Sequence, residues 1–278
     1  MTEITLKVPQ GIGDIWLVHR KVAKHVDRVN YIILGTSNTP FQKRSIDWLK
    51  LFPKCGAVDF KVVDESTYAQ LASGMFDIEK VLNDAESEPQ FYSVNKPLEQ
   101  GIRLEDIDPM MEVDWDVSPR RDEVEDKHDY VVLYVSGAAH HPAKHRNGAW
   151  GVPLWAKAIN YCLNTLRLDP LPIYLIGAEW DKGVMSDLKM LLKKDITAAV
   201  GTSPMSVMGL ISRARMFIGF QSGLGILADA FDTFQLMMYY DYMKPMKYTW
   251  CKPENGQRKF FAATFCDMPN GVVKLFKQ

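Results

Sequence analysis

The order of apolar and polar segments predicts an α/β chain built from two parallel-sheet halves. Three observations carry this expectation. Residues 1–62 alternate strand-like and helix-like periods, a second such set starts at Tyr130, and the stretch from Glu86 to Lys127 between them is acidic, proline-containing and weakly periodic. Strands that alternate with helical patterns pair in parallel, because each return crossover takes a helix's length of chain. With 278 residues and 47% hydrophobic content, there is material for two cores of roughly 130 residues each. The expected domains are residues 1–127 and 128–278, joined where VSPRRDEVEDKHD reads as a linker.

The first half opens on the strand ITLKV and the turn GIGD, followed by a helix from about Ile15 to His25 and the strand VNYIILGT. A helix around Phe41 to Leu51 and a short strand, AVDFKVV, complete it. The second half starts with YVVLYVSG, a continuous apolar run of the kind buried on both faces, ending in Ser136 and Gly137. A polar loop leads to the helix PLWAKAINYCLNTL, the strand PIYLIG, a helix from Met185 to Lys193 and a turn at GTSP. The helix MSVMGLISRA, the strand MFIGF, the turn QSG, a helix from Leu224 to Phe231 and the strand FQLMMYY are expected to complete the sheet. Two such halves with a ligand between them suit nucleotide-type molecules, since the carboxyl ends of parallel strands gather loops and helix N-termini along one edge.

Composition narrows the class further. The net charge of −1 hides a segregation: +5 over residues 1–61, −12 over 62–128, +2 over 129–238 and +4 from 239 onward. Basic ends could meet a polyanion while the acidic middle faces away, and solvated faces account for such runs equally well. Cys55, Cys162, Cys251 and Cys266 form no CxxC pair, so neither a zinc ribbon nor a disulfide framework is indicated. Met1 to Lys7 lacks a long apolar leader and nowhere do 18 apolar residues run together, so no transmembrane segment and a cytoplasmic location are expected.

The stretch PQGIGDIW, residues 9–16, closes the first strand. Gly11 and Gly13 offer backbone freedom for a tight strand-to-helix turn. The helix start beyond them offers free N–H groups and a positive dipole end, suited to an anion or a reacting oxygen. An ordinary βα turn accounts for the same residues, and Asp14 then is a plain acid of a first helical turn.

Residues 130–231 carry a more specific likeness. The strand, the basic loop ending in Trp150, PLWAKAI, the strand followed by IGAEWDK, and VGTSPMSVMGLISRARMFIGFQSGLGILADAF together resemble the C-terminal half of the heptosyltransferase-like glycosyltransferases of family 9, in which a GIGD-type turn also ends the first strand. The resemblance implies the GT-B fold, two Rossmann-like parallel-sheet domains facing across a cleft, the first binding acceptor and the second the nucleotide sugar. It implies an inverting, metal-independent transfer with Asp14 as the base that takes the acceptor hydroxyl's proton. On the donor side it implies Ser136 and Gly137, a basic phosphate-binding loop with Lys144 and Arg146, and Gln221, Ser222 and Gly223 with their amides at a helix start. Gly177 with Glu179 is placed at the ribose hydroxyls, and the turn from Val200 to Ser203, Thr202 included, beside the base through its backbone groups. The resemblance leaves residues 62–128 and the tail without a counterpart.

The sequence also departs from the family pattern. Gln221 stands where the family has an acid, Ile226 where it has a His, and Phe234 near its proline, which leaves open a changed sugar or nucleotide. The triplets Asp106-Ile107-Asp108 and Asp114-Trp115-Asp116 could hold a divalent cation, but they lie in an acidic stretch where such triplets arise readily. His140, His141 and His145 lack a fourth ligand at zinc spacing and read as a polar active-site loop, so no metal and no cofactor beyond the nucleotide-sugar co-substrate are expected. The tail YYDYMKPMKYTWCKPENGQRKFF fits packing over the first domain better than base stacking, although its mixture of aromatic and basic residues suits either.

The expected function is sugar transfer from a UDP- or ADP-linked donor to a hydroxyl. The chain's compactness resembles that of phage-encoded members, some of which glycosylate hydroxymethylated cytosine. With the basic ends, this favours 5-hydroxymethylcytosine in double-stranded phage DNA as acceptor, in the host cytoplasm. Transfer to lipopolysaccharide or another glycan is the alternative, and a non-catalytic nucleotide- or glycan-binding protein is the rival of another class.

Overall fold

A computed structural model describes residues 3–40, 42–74, 118–122, 129–134, 152–220, 223–231, 233–239, 260–267 and 272–277. The chain divides into two compact units, the first running up to Arg120 and the second beginning at Arg121.

The first unit holds a three-stranded parallel sheet in the order β1 (Glu3–Pro9), β2 (Arg28–Gly35), β3 (Cys55–Val62). Leu6 and Val8 of β1 stand in register with Tyr31 and Ile33 of β2, and all four side chains are buried. Helix α1 (Ile12–Val22) covers this sheet with Ile15, Trp16, Val18 and Val22, the spacing that lays one helical face on a core. It starts earlier than the periodicity predicts, because Gly11 is already its N-cap. Helix α2 (Ile46–Leu49) is a single turn rather than the expected longer helix; Pro53 lies just beyond, and the residue before a proline is kept out of helical geometry. Helix α3 (Glu65–Gly74) follows β3 in a stretch that the sequence leaves without an element.

Behind α1 lies a ring cluster. Trp16 stacks on His19 at 5.6 Å between centroids, and Phe52 tilts against both at 4.6 and 4.9 Å. His19 Nδ1 and the Tyr31 hydroxyl share a hydrogen bond of 2.5 Å. Both side chains are essentially free of solvent, and burial pulls the His19 pKa from 6.5 down to about 3, against a smaller upward pull from its backbone partner Pro53. Burial likewise holds the Tyr31 phenol neutral, well above its usual range.

The second unit is a seven-stranded sheet in the order β10-β9-β8-β7-β4-β5-β6. Its strands are β4 (Val131–Tyr134), β5 (Ile173–Gly177), β6 (Ile196–Val200), β7 (Met216–Phe220), β8 (Phe234–Tyr239), β9 (Phe260–Asp267) and β10 (Val272–Lys277). Counted from β4, the first six follow the 3-2-1-4-5-6 order of a doubly wound nucleotide-binding sheet, all parallel. The sheet does not end at FQLMMYY as expected: β9 adds to β8 in parallel, and β10 folds back antiparallel on β9.

Val131, Val132 and Leu133 are wholly buried, which is why β4 reads as an unbroken apolar run. Helix α4 (Val152–Thr165) turns Trp155, Ile159 and Cys162 inward, and α5 (Lys182–Leu192) turns Met185, Leu188 and Leu192. Helix α6 (Pro204–Arg213) begins with Pro204 at its first turn and Ser203 as its cap, whose hydroxyl accepts from the Ser206 N–H at 3.2 Å. Helix α7 (Gly223–Ala228) is shorter than expected, and its Ile226 is buried. At the entry to this unit Asp122 is fastened to α6, its carboxylate accepting from the Ser206 hydroxyl at 2.8 Å. Among the described residues no helix is long and apolar enough to cross a membrane.

Candidate functional site

In the first unit, β1 ends at Pro9, Gln10 makes the bend, and α1 starts at Ile12, so Gly13 and Asp14 are its second and third residues. The first helical bond runs from the Ile15 N–H to the Gly11 carbonyl at 3.0 Å. Asp14 therefore belongs to the turn whose N–H groups have no acceptor within the helix. The expected use of glycine flexibility is not seen at Gly11, which lies at φ −75° and ψ 100°, a conformation open to any residue.

In the second unit, the sheet order places the reversal of winding between β4 and β7, and ligands of such sheets bind outside the carboxyl ends of the strands at that point. The expected donor residues within the described segments lie along this edge. Gly177 ends β5 and stands in register with Val200, which ends β6; the Gly201 N–H donates to the Gly177 carbonyl at 3.4 Å. A Cβ on Gly177 would lie 2.9 Å from Met185 Sδ and 3.0 Å from Asp181 Oδ2, so glycine is what lets the turn close over α5. Asp181 is buried and its Oδ2 accepts from the Ala178 N–H at 2.8 Å, which spends this carboxylate on the turn itself. Glu179, by contrast, remains largely exposed and pairs with Lys182. Such an exposed pair adds little stability and leaves the carboxylate open to a competing hydroxyl.

Glu179 and the end of β6 meet at Gly201. This residue adopts φ +70°, and a Cβ there would stand 2.6 Å from Glu179 Oε1. Thr202 follows, its hydroxyl donating to the Ala199 carbonyl at 3.1 Å. Gly177, Glu179, Val200 and Thr202 are thus brought together, and Gly223 opens α7 after β7, on the other side of the reversal. Replacing Gly201 with Ala is expected to cost about 1–2 kcal/mol, chiefly through the left-handed backbone, and to push the Glu179 side chain aside. Urea unfolding measures the first effect.

Gly201 lies inside the Val200–Ser203 turn expected beside the base, whereas nothing in the sequence places Asp181 at the site. The GTSP turn was the available signal for Gly201; nothing local distinguishes the inward carboxylate of Asp181 from the outward one of Glu179. Ser136, Gly137, Lys144, Arg146, Gln221 and Ser222 lie outside the described residues, as do His140, His141, His145, the acidic triplets and most of the aromatic tail. Among the described residues no cluster of His, Cys, Asp or Glu could hold a metal ion.

Two Rossmann-like parallel-sheet units in one chain define the GT-B class of fold. Solved structures share it across nearly the whole length. A glycosyl transferase of family 9 from Veillonella parvula DSM 2008 superposes with a TM-score of 0.56 at 11% identity, over 95% of this chain and 86% of that one. The ADP-heptose lps heptosyltransferase II of E. coli gives 0.54 at 12% identity, over 95% and 90%. No protein-family model and no curated protein matches the chain.

Proposed function

We propose that the protein is a glycosyltransferase that moves a sugar from a nucleotide-sugar donor to a hydroxyl. The observation that carries this reading is the carboxyl edge of the second sheet. There the strand order sets Gly177, Glu179, Val200 and Thr202 on one side of the reversal of winding and Gly223 on the other. An exposed carboxylate beside close-packed glycine turns suits ribose hydroxyls, and a peptide edge at Val200 and Thr202 suits a planar base.

In the proposed reaction Asp14 accepts the proton of the acceptor hydroxyl as its oxygen bonds to the anomeric carbon. The bond from that carbon to the diphosphate breaks in the same displacement, inverting the centre and releasing a nucleoside diphosphate. Lys144 and Arg146 take the charge that develops on the diphosphate, together with the amides of Ser222 and Gly223. The step needs no metal. The shared fold with the ADP-heptose lps heptosyltransferase II of E. coli supports an ADP-linked donor over a UDP-linked one.

For the acceptor, the positive ends of the chain support 5-hydroxymethylcytosine in DNA, with the base turned out of the duplex to expose its hydroxyl. The E. coli structure, named for lipopolysaccharide, supports a glycan acceptor as the second reading. The test is mass spectrometry after incubating the protein with nucleotide sugars and either hydroxymethylated DNA or lipopolysaccharide core. A pentose, hexose or heptose mass added to one acceptor identifies it and its donor. Hydrolysis of a donor with neither acceptor modified keeps sugar transfer and excludes both acceptors; binding with no hydrolysis points to the non-catalytic rival.

A further inference from the structure

Gln10, the residue between β1 and the turn that carries Asp14, is held from two sides by the segment leading into α2. The Ser45 hydroxyl donates to the Gln10 backbone carbonyl, and Arg44 Nη1 donates to Gln10 Oε1 at 2.9 Å. Ser45 is 1% exposed and Gln10 7%, so water does not compete for the Ser45 bond, while the Arg44 bond is part-buried. Ser45 also stands at the N-cap of α2, where a serine hydroxyl ordinarily accepts an N–H from its own helix, yet it makes no such bond. Its hydroxyl serves the neighbouring crossover instead.

The turn needs that help. Gly11 has no side chain with which to cap α1, and two glycines leave a segment with few conformational restraints of its own. We infer that Ser45 and Arg44 are positioning residues: by fixing Gln10 through both its backbone and its side chain, they set the geometry of the Gly11–Asp14 turn. This rests on the reading of Asp14 as the base. A base must meet the acceptor hydroxyl within hydrogen-bond reach, and small misplacements lower the rate steeply.

The experiment compares Ser45→Ala, Ser45→Thr and Asp14→Asn with the unaltered protein, by transfer kinetics and by amide hydrogen exchange over residues 10–16. Ser45→Ala is expected to lower kcat about tenfold with donor KM unchanged, consistent with a slightly misplaced base. It should also speed exchange in the turn, and Ser45→Thr should restore both. If Ser45→Ala keeps the original kcat while Asp14→Asn is inactive, the positioning role is overturned and the base stands. If Asp14→Asn retains full activity, the base reading fails and the positioning role with it. Equal losses in Ser45→Ala and Ser45→Thr reduce the contact to packing.

Discussion

On the proposed reading, Asp14→Asn is expected to lower sugar transfer by about 10²–10⁴-fold while leaving nucleotide-sugar affinity unchanged. The amide matches the carboxylate in size and keeps a hydrogen-bonding oxygen, so the helical turn survives the exchange. What it lacks is an atom basic enough to take the acceptor's proton. On the same reading, donor affinity lies in the other unit, where Glu179 and its neighbours gather at the ends of β5 and β6. Calorimetric titration of the donor together with steady-state transfer rates separates the two quantities. Turnover within tenfold of the original would remove Asp14 from the chemistry; loss of donor binding would make it part of the nucleotide site.

The other large effect is on stability in acid. His19 has a pKa of about 3 in the folded protein because burial disfavours the imidazolium, and 6.5 once the chain unfolds. Below pH 6.5 the unfolded chain takes up a proton that the folded one refuses, so unfolding becomes easier as pH falls. The contribution is fully present above pH 6.5 and is lost progressively down to about pH 3, amounting to on the order of 5 kcal/mol across the window. His19→Gln keeps a polar partner for Tyr31 and cannot titrate. Urea unfolding at pH 7 and pH 4.5 should show the unaltered protein losing more stability between the two conditions than this variant. Parallel losses would mean that carboxylates elsewhere set the acid limit.

The alternation of strand and helix was legible wherever burial is one-sided or complete. β1 with α1, the central β4, and α4 through β7 all announce themselves, because their apolar spacing follows from the faces they bury. α3 is not legible, since ESTYAQLASG presents too few apolar residues to mark a face. β9 and β10 were missed although FFAATFCD and VVKLFK are strand-like and Asn270-Gly271 between them is a hairpin signal; their aromatic and basic surroundings suggested packing of another kind.

In the site, the residues that end strands were legible, because parallel sheets present those ends to ligands. Gly177 and Val200 follow from locating β5 and β6 alone. What could not be read is where a polar side chain turns. Asp181 and Glu179 differ only in that one carboxylate folds back onto its own turn, and Ser45 gives its hydroxyl to a residue far away in sequence rather than to its own helix. These choices depend on which backbone groups the assembled sheet leaves without partners.

The order of the second sheet leaves two outer strands among those described, β6 on one side and β10 on the other. An outer strand shows a row of free peptide groups to any passing chain, and growth from such a row leads to strand-by-strand aggregation. The two margins counter this differently. β6 has only five residues, too short a template to hold an incoming strand well. β10 has six residues, and its sequence includes Lys274 and Lys277, the residue type with which edge strands counter such pairing. Adding β9 and β10 thus does more than widen the sheet: it replaces the wholly parallel margin with an antiparallel one.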